Sequence, residues 1–159
     1  MSSGGGYAVM AAPFGAVLLR AEGGILAGID LLPEAKPPVK PQTPELQEAQ
    51  RQLQCYFDDP AWPFALPLPV QGTLFQRRVW QALRAIPTGE VRRYGDLSRY
   101  LGSAPRAVAG ACKANGFPLI VPCHRVVSGT GLGGFCGRLE GPYLEIKRWL
   151  LRHEGYDGV

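Results

Sequence analysis

The segment FPLIVPCHRV, residues 117–126, places a cysteine, a histidine and an arginine directly after an apolar run. Such a run is typical of a buried element, so Cys123 is expected at its end. A free thiol has a pKa of about 8.5 and is mostly protonated at neutral pH unless nearby cations or donors lower it. We expect His124 and Arg125 to lower the pKa of Cys123. A buried cysteine is more often a small core residue, so that alternative stays open at this point.

The composition is that of a globular protein with one large domain or two small ones. The chain has 159 residues, of which 46% are hydrophobic. It contains no apolar run of about 18 residues, and its first six residues lack the pattern of a signal peptide. We therefore expect a soluble, intracellular, cytoplasmic protein. A zinc site is not expected, because there is no CxxC pair, and we expect four reduced cysteines: Cys55, Cys112, Cys123 and Cys136.

The charge is divided unevenly along the chain. Residues 1–71 hold four Lys/Arg and seven Asp/Glu, a net charge of −3, whereas residues 72–159 hold thirteen and six, a net charge of +7. A basic half next to an acidic half indicates a polyanionic partner, with nucleic acid ahead of a membrane surface. A merely well-solvated surface is the alternative.

The N-terminal half reads as a small antiparallel sheet with one helix. Three short apolar runs, residues 7–12, 15–21 and 24–30, are separated by turn residues and predict strands. A proline-rich loop follows at residues 31–42. Thr43 then predicts a helix N-cap with Pro44 in the first turn, and the helix would cover one face of the sheet. Residues 59–71 are again proline-rich and predict an extended connector, so we place a domain boundary near residue 71.

The C-terminal half reads as mostly helical. Thr73 to Gln76 fits a capping box, and the helix that it begins would end at Pro87 and Gly89. Residues 96–101 predict a short helix closed by Gly102. Ser103 is expected to cap a second helix over about residues 105–114, which together would make a helix-turn-helix. A terminal helix is predicted over residues 142–154.

The second helix of this predicted pair carries unusually small side chains. Small residues let a backbone approach a partner closely, and flanking cations can reach phosphates. Packing of the small residues against the first helix is the alternative. The residues concerned are Ala107, Ala109, Gly110 and Ala111, edged by Arg106 and Lys113.

The segment SGTGLGG, residues 128–134, is rich in glycine but is not a phosphate-binding loop. No Gly-Lys-Ser/Thr ending follows it, and no strand-loop-helix pattern surrounds it. We interpret it as a mobile or close-fitting pocket wall.

Four stretches of the C-terminal half resemble the O6-alkylguanine-DNA alkyltransferases. They are RAVAGA at residues 106–111, KAN at 113–115, PLIVPCHRVVSG at 118–129 and KRWLLRHEG at 147–155. The resemblance covers essentially all of residues 72–159. It implies an α/β (α+β) fold: a ribonuclease-H-like antiparallel sheet with a helix in residues 1–71, and a mostly helical DNA-binding domain with a helix-turn-helix in residues 72–159.

The same resemblance implies catalytic roles for five residues. Cys123 would accept the alkyl group, and His124 would take the thiol proton through a water molecule. Glu154 would orient the imidazole, and Asn115 would fix the turn that precedes the active-site segment. Tyr94 would donate a hydrogen bond to guanine N3.

The resemblance also implies a DNA surface and a substrate pocket. Arg106 would fill the gap left by a flipped nucleotide, while Ala107, Gly110 and Lys113 would lie against the minor groove. The backbone N–H of Cys136 would contact guanine O6. The pocket residues implied are Pro118, Val126, Phe135 and Cys136.

The implied reaction needs no metal and no other cofactor. Alkyl transfer to sulfur gives a thioether without a good leaving group, so each molecule would react once. The expected partner is double-stranded DNA containing O6-alkylguanine, without a membrane and with the protein as a monomer. Two alternatives remain: a sensor that binds alkylated DNA without transfer, against which Cys123 argues, and a cysteine hydrolase, which single-turnover stoichiometry would exclude.

Overall fold

The computed structural model describes residues 6–158. The chain divides into two compact units, the first ending at Val70 and the second beginning at Gln71. Among the helices of residues 6–158, none combines the length and the apolar character needed to cross a membrane.

The first unit contains a three-stranded antiparallel sheet in the order β1-β2-β3. Its strands are β1 (Gly6–Ala12), β2 (Gly15–Glu22) and β3 (Ile25–Leu32), which confirms the three predicted strands to within two residues at each end. The predicted loop after β3 also contributes to the sheet, because Val39 exchanges two backbone hydrogen bonds of 3.0 Å with Val9.

Helix α1 (Pro44–Asp58) covers the sheet as predicted. The Thr43 hydroxyl accepts a hydrogen bond from the Leu46 backbone N–H, and Pro44 occupies the first turn, where a missing N–H leaves no bond unmade. The proline-rich segment that follows has no regular element, yet it is tied to α1. The Gln52 side chain donates to the Ala65 carbonyl at 3.0 Å and accepts from the Ala65 N–H at 2.8 Å.

The second unit is mostly helical. Its elements are α2 (Leu74–Arg84), β4 (Arg92–Arg93), α3 (Tyr94–Leu101), α4 (Pro105–Lys113), a 3-10 turn (Cys123–Arg125), β5 (Val126–Val127) and α5 (Pro142–His153). The predicted capping box begins α2: Gln76 N–H donates to the Thr73 hydroxyl at 3.0 Å, and Thr73 N–H donates to the Gln76 side chain at 2.9 Å. Trp80 on α2 donates to the Ala111 carbonyl on α4 at 2.8 Å, which fixes these two helices against each other.

The predicted helix-turn-helix is formed by α3 and α4, but one prediction about it is wrong. Gly102 ends α3 in the left-handed conformation, with φ of 65°, as predicted. Ser103 does not cap α4; its backbone N–H donates to the Ser98 carbonyl at 2.7 Å and so completes the end of α3. The N-cap of α4 is Ala104, without a side-chain hydrogen bond, because Pro105 at the first helical position fixes the start and holds Ala104 extended.

Candidate active site

Cys123 is held at the end of a tightly bonded turn between α4 and β5. The Asn115 side chain donates to the Val121 carbonyl at 2.8 Å and accepts from the Phe117 N–H at 2.9 Å, so one amide closes both ends of the segment. Leu119, inside it, has φ of 79°, a conformation rarely adopted by a residue with a side chain. After the 3-10 turn, β5 pairs in parallel with β4, with Val126 opposite Arg92.

His124, the residue after Cys123, forms a fully buried side-chain pair with Glu154. His124 Nε2 lies 2.7 Å from Glu154 Oε2. A carboxylate can only accept, so Nε2 donates and the neutral ring keeps a lone pair on Nδ1. That Nδ1 is buried and has no hydrogen-bond partner within residues 6–158. The pair therefore presents a base whose orientation is set by Glu154.

Arg125 binds the other side of the same carboxylate. Its Nε donates to Glu154 Oε1 at 2.8 Å and its Nη2 donates to Oε2 at 3.1 Å. A third N–H donates to the Ile86 carbonyl at 2.6 Å. Burial lowers the pKa of His124, with the charge of Arg125 acting in the same direction. Glu154 acts in the opposite direction, but burial is the larger effect, so His124 stays neutral.

The prediction that His124 and Arg125 lower the pKa of Cys123 is wrong. Both side chains form hydrogen bonds with Glu154. His124 is neutral, so it has no positive charge that could stabilise the thiolate. Burial raises the pKa of the Cys123 thiol, whereas the Asn115 side chain and the charge of Lys147 lower it. The side chains that favour the thiolate are therefore those of Asn115 and Lys147, and neither residue is adjacent to the cysteine in sequence.

Lys147 is a buried cation beside the site that the sequence analysis did not select. It lies on α5 with 0% of its surface exposed. Its ammonium group donates to the Val126, Leu132 and Gly134 carbonyls at 2.7, 2.7 and 2.8 Å. Its position in the predicted terminal helix could have indicated burial. Residues four positions apart lie on the same face of a helix, and Lys147 is four positions before the apolar Leu151.

Cys123 lines a cavity of about 500 Å³ with mostly apolar walls. Tyr94, at the start of α3, borders it, and burial raises the pKa of this phenol so that it stays protonated. Cys112 on α4 is a second thiol of this cavity that the sequence analysis did not select, and burial raises its pKa to about 12. Seven predicted site residues line the cavity together: Tyr94, Arg106, Gly110, Lys113, Cys123, Phe135 and Cys136.

Two predicted pocket residues do not line this cavity. Pro118 is buried in the turn before Cys123, where it forms a bridge with Val121. Val126 is fully buried in β5, and its carbonyl accepts from Lys147. Both residues support the segment around the cysteine instead of facing the cavity.

The glycine-rich loop is a close-fitting wall of the cavity. Gly133 has φ of 77°, and a Cβ added there would lie 3.1 Å from both the Tyr94 ring and the Ser128 nitrogen. Cys136 follows in a turn closed by two hydrogen bonds between Phe135 and Arg138, with φ of 52°. Only a residue without a side chain fits Gly133 without displacing its neighbours.

The outer face of α4 is bare and points away from the core of the unit. Val108 and Ala111 are the buried residues of this helix. Ala107, Ala109 and Gly110 are exposed, and a Cβ added at Gly110 would meet no atom within 4 Å. The packing of α4 against α3 therefore does not explain these small residues.

The fold and the site define a class: a two-unit α/β protein in which a cysteine, backed by a buried histidine–glutamate pair, lines a cavity beside the second helix of a helix-turn-helix. The model of the 6-O-methylguanine DNA methyltransferase DNA-binding domain matches residues 74–156. The chain belongs to this family.

Individual relatives cover most of the chain. The constitutive methylated-DNA–protein-cysteine methyltransferase of Bacillus subtilis is 47% identical over 116 residues, which are 71% of this chain and 68% of the relative. The structure of the Mycobacterium tuberculosis O6-methylguanine methyltransferase has a TM-score of 0.77 at 35% identity and covers 93% of this chain and 91% of its own. That of Mycobacterium tuberculosis OGT in complex with DNA has a TM-score of 0.76 at 34% identity, with coverages of 94% and 92%.

Proposed function

We propose that this protein repairs DNA by transferring the alkyl group of O6-alkylguanine directly to Cys123, once per molecule. The observation that carries the proposal is the position of Cys123, which lines an apolar cavity and is followed directly by His124, the base of the buried His124–Glu154 pair. The relatives named methylated-DNA–protein-cysteine methyltransferases support the same reaction class.

The chemistry follows from the charges of the site. His124 Nδ1 accepts the thiol proton through a water molecule, and Glu154 stabilises the imidazolium that forms. The Cys123 sulfur then attacks the alkyl carbon, the sulfur–carbon bond forms, and the bond from that carbon to guanine O6 breaks. The leaving guanine takes up negative charge, which a hydrogen bond from the Tyr94 hydroxyl to guanine N3 stabilises. Asn115 holds the turn that positions the sulfur.

The cavity walls hold the guanine in this scheme. Phe135 supplies an apolar face, and the backbone N–H of Cys136 donates to O6, a contact that does not depend on the thiol side chain. Pro118 and Val126 act from behind the wall, by fixing the segment that bears Cys123. No metal or cofactor enters a step, because the thiol is the acceptor.

Duplex DNA would bind along the bare face of α4. A base must leave the stack before a thiol can reach O6, at a cost of a few kcal/mol. Arg106 would fill the gap, with Ala107 and Gly110 against the minor groove and Lys113 near phosphates. A solved relative with 34% identity is in complex with DNA, which supports DNA as the partner. All proposed site residues lie in the second unit, residues 71–159, so the site needs no second copy of the chain. We propose a monomer that acts on DNA inside the cell, in the cytoplasm.

The test is a mass measurement on the intact protein after incubation with a duplex containing O6-methylguanine. We expect one added methyl group, located on the peptide with Cys123, and none in Cys123→Ala, which still binds the duplex. Cys55→Ala, altered in the first unit, serves as the matched control and gains the methyl group. Tight lesion binding by unmodified wild-type protein would show a sensor instead. Repeated turnover of an ester or amide would show a hydrolase.

A further inference from the structure

We propose that Lys147 is a positioning residue for the reaction: its ammonium group fastens the glycine-rich loop to the strand after Cys123 and stabilises the Cys123 thiolate by its charge. The inference rests on the proposed role of Cys123 as the nucleophile. It names the cation that this nucleophile needs, in place of the adjacent His124 and Arg125.

The contacts of Lys147 join two parts of the site at a single atom. The Val126 carbonyl belongs to β5, directly after the turn that bears Cys123, whereas the Leu132 and Gly134 carbonyls belong to the cavity wall. Gly133, between them, packs so closely that an added Cβ would lie 3.6 Å from the Lys147 nitrogen. The ammonium group therefore sets the distance between the nucleophile segment and the wall.

Among residues 6–158, no carboxylate pairs with the ammonium group of Lys147. An ammonium group has three donors, and all three are engaged by neutral carbonyls. Burying a charge without a counter-charge is costly, and neutral donors would satisfy carbonyls at lower cost. A purely structural link therefore does not require a lysine. The charge of the ammonium group would instead stabilise an anion that forms in the cavity during the reaction.

The charge acts on the thiols of this cavity. Burial lowers the pKa of Lys147 to about 8, against the raising effect of Cys123, Cys112 and Cys136. The charge of Lys147 in turn lowers the pKa of Cys123. The mostly apolar cavity walls strengthen this interaction, because the local dielectric constant is low. The titratable or charged groups that line this cavity with Cys123 are Tyr94, Arg106, Cys112, Lys113, Cys136 and Arg138. Lys147 and the buried group of His124, Arg125 and Glu154 lie behind the segment that bears the thiol.

Three substitutions separate the charge from the hydrogen bonds. Lys147→Gln keeps N–H donors without the charge, Lys147→Met removes both, and Lys147→Arg keeps both. Arg148→Gln is the matched control, since this next residue of α5 forms an ion pair with Glu145 and does not line the cavity.

The measurement is the rate at which iodoacetamide alkylates Cys123 as a function of pH, followed on the Cys123 peptide of the whole protein without DNA. A nearby cation shifts a pKa by about 1 to 3 units, so we expect the profiles of Lys147→Gln and Lys147→Met to move to higher pH by about 1 to 2 units. At pH 7 this is a loss of about tenfold or more in rate. The profiles of Lys147→Arg and Arg148→Gln should match the wild type.

A wild-type profile in Lys147→Gln would overturn the inference, because the charge would then have no effect. Both neutral variants could fail to fold, which circular dichroism would show, and the test then rests on Lys147→Arg. A shift of its pH–rate profile by about 1 to 2 units, despite the retained charge, would equally overturn the inference. Since no DNA is present, this result is independent of alkyl transfer. Failure of the methyl-transfer test alone would refute the proposed function and leave the thiolate effect standing.

Discussion

At the scale of single residues, Glu154 is shared between two partners that compete for its charge. Arg125 binds both of its oxygens, and His124 binds one of them from the opposite side. With Arg125 in place, the three groups together are neutral when His124 is neutral. If Arg125 were removed, the buried carboxylate would have only the imidazole to neutralise it. The pKa of His124 would then rise, because an unpaired buried carboxylate favours the imidazolium.

Arg125→Gln should therefore damage methyl transfer most at low pH. Protonated His124 cannot accept the thiol proton, so activity is lost below the pKa of His124 and retained above it. We expect the acid limb of the pH–rate profile to move to higher pH by about one unit. Arg92→Gln, which removes a cation paired with Glu90, is the control. An equal loss of rate at every pH would assign Arg125 to positioning alone.

At the scale of elements, two hydroxyl residues before helices have different roles. Thr73 makes both bonds of a capping box at the start of α2, whereas α4 begins without a side-chain cap although Ser103 is near. Losing an N-cap hydroxyl costs about 1 kcal/mol. Thr73→Ala should lower the free energy of unfolding by about that amount, and Ser103→Ala should change it by no more than a few tenths.

Urea unfolding followed by tryptophan fluorescence measures both changes. The two variants are each other's control, because each removes one exposed or half-exposed hydroxyl from the second unit. A loss in Ser103→Ala as large as that in Thr73→Ala would contradict the assignment of Ser103 to the end of α3.

The same comparison shows which features could be predicted from the sequence. Thr43, Thr73 and Gly102 act on residues three or four positions away, so local pattern was sufficient to predict their roles. The partners of Lys147 lie 13 to 21 positions away, and those of Arg125 up to 39. Contacts at such separations depend on tertiary packing, which no local pattern encodes. The family resemblance indicated that Glu154 is the partner of His124, but it assigned no role to Lys147, whose charge acts on Cys123.

At the scale of the whole molecule, the net charge separates the two halves of the chain. Residues 72–159 carry +7 and residues 1–71 carry −3. The bare face of α4 is edged by the exposed cations Arg106 and Lys113. If this face binds DNA through phosphates, each phosphate contact releases counterions, and the affinity falls as the salt concentration rises. The slope of log affinity against log salt concentration is proportional to the number of phosphate contacts.

Lys113→Gln should therefore weaken binding to an undamaged duplex by a similar factor for different sequences. We expect the slope of log affinity against log salt concentration to become shallower by about 0.9, the change for one lost phosphate contact. Fluorescence anisotropy between about 50 and 200 mM salt measures it. Lys36→Gln is the control, because it removes one positive charge from the first unit, where Lys36 pairs with Glu34, and should leave the slope unchanged. Equal slopes for Lys113→Gln and the wild type would show that Lys113 makes no phosphate contact. A shallower slope in Lys36→Gln would show that the acidic half also takes part.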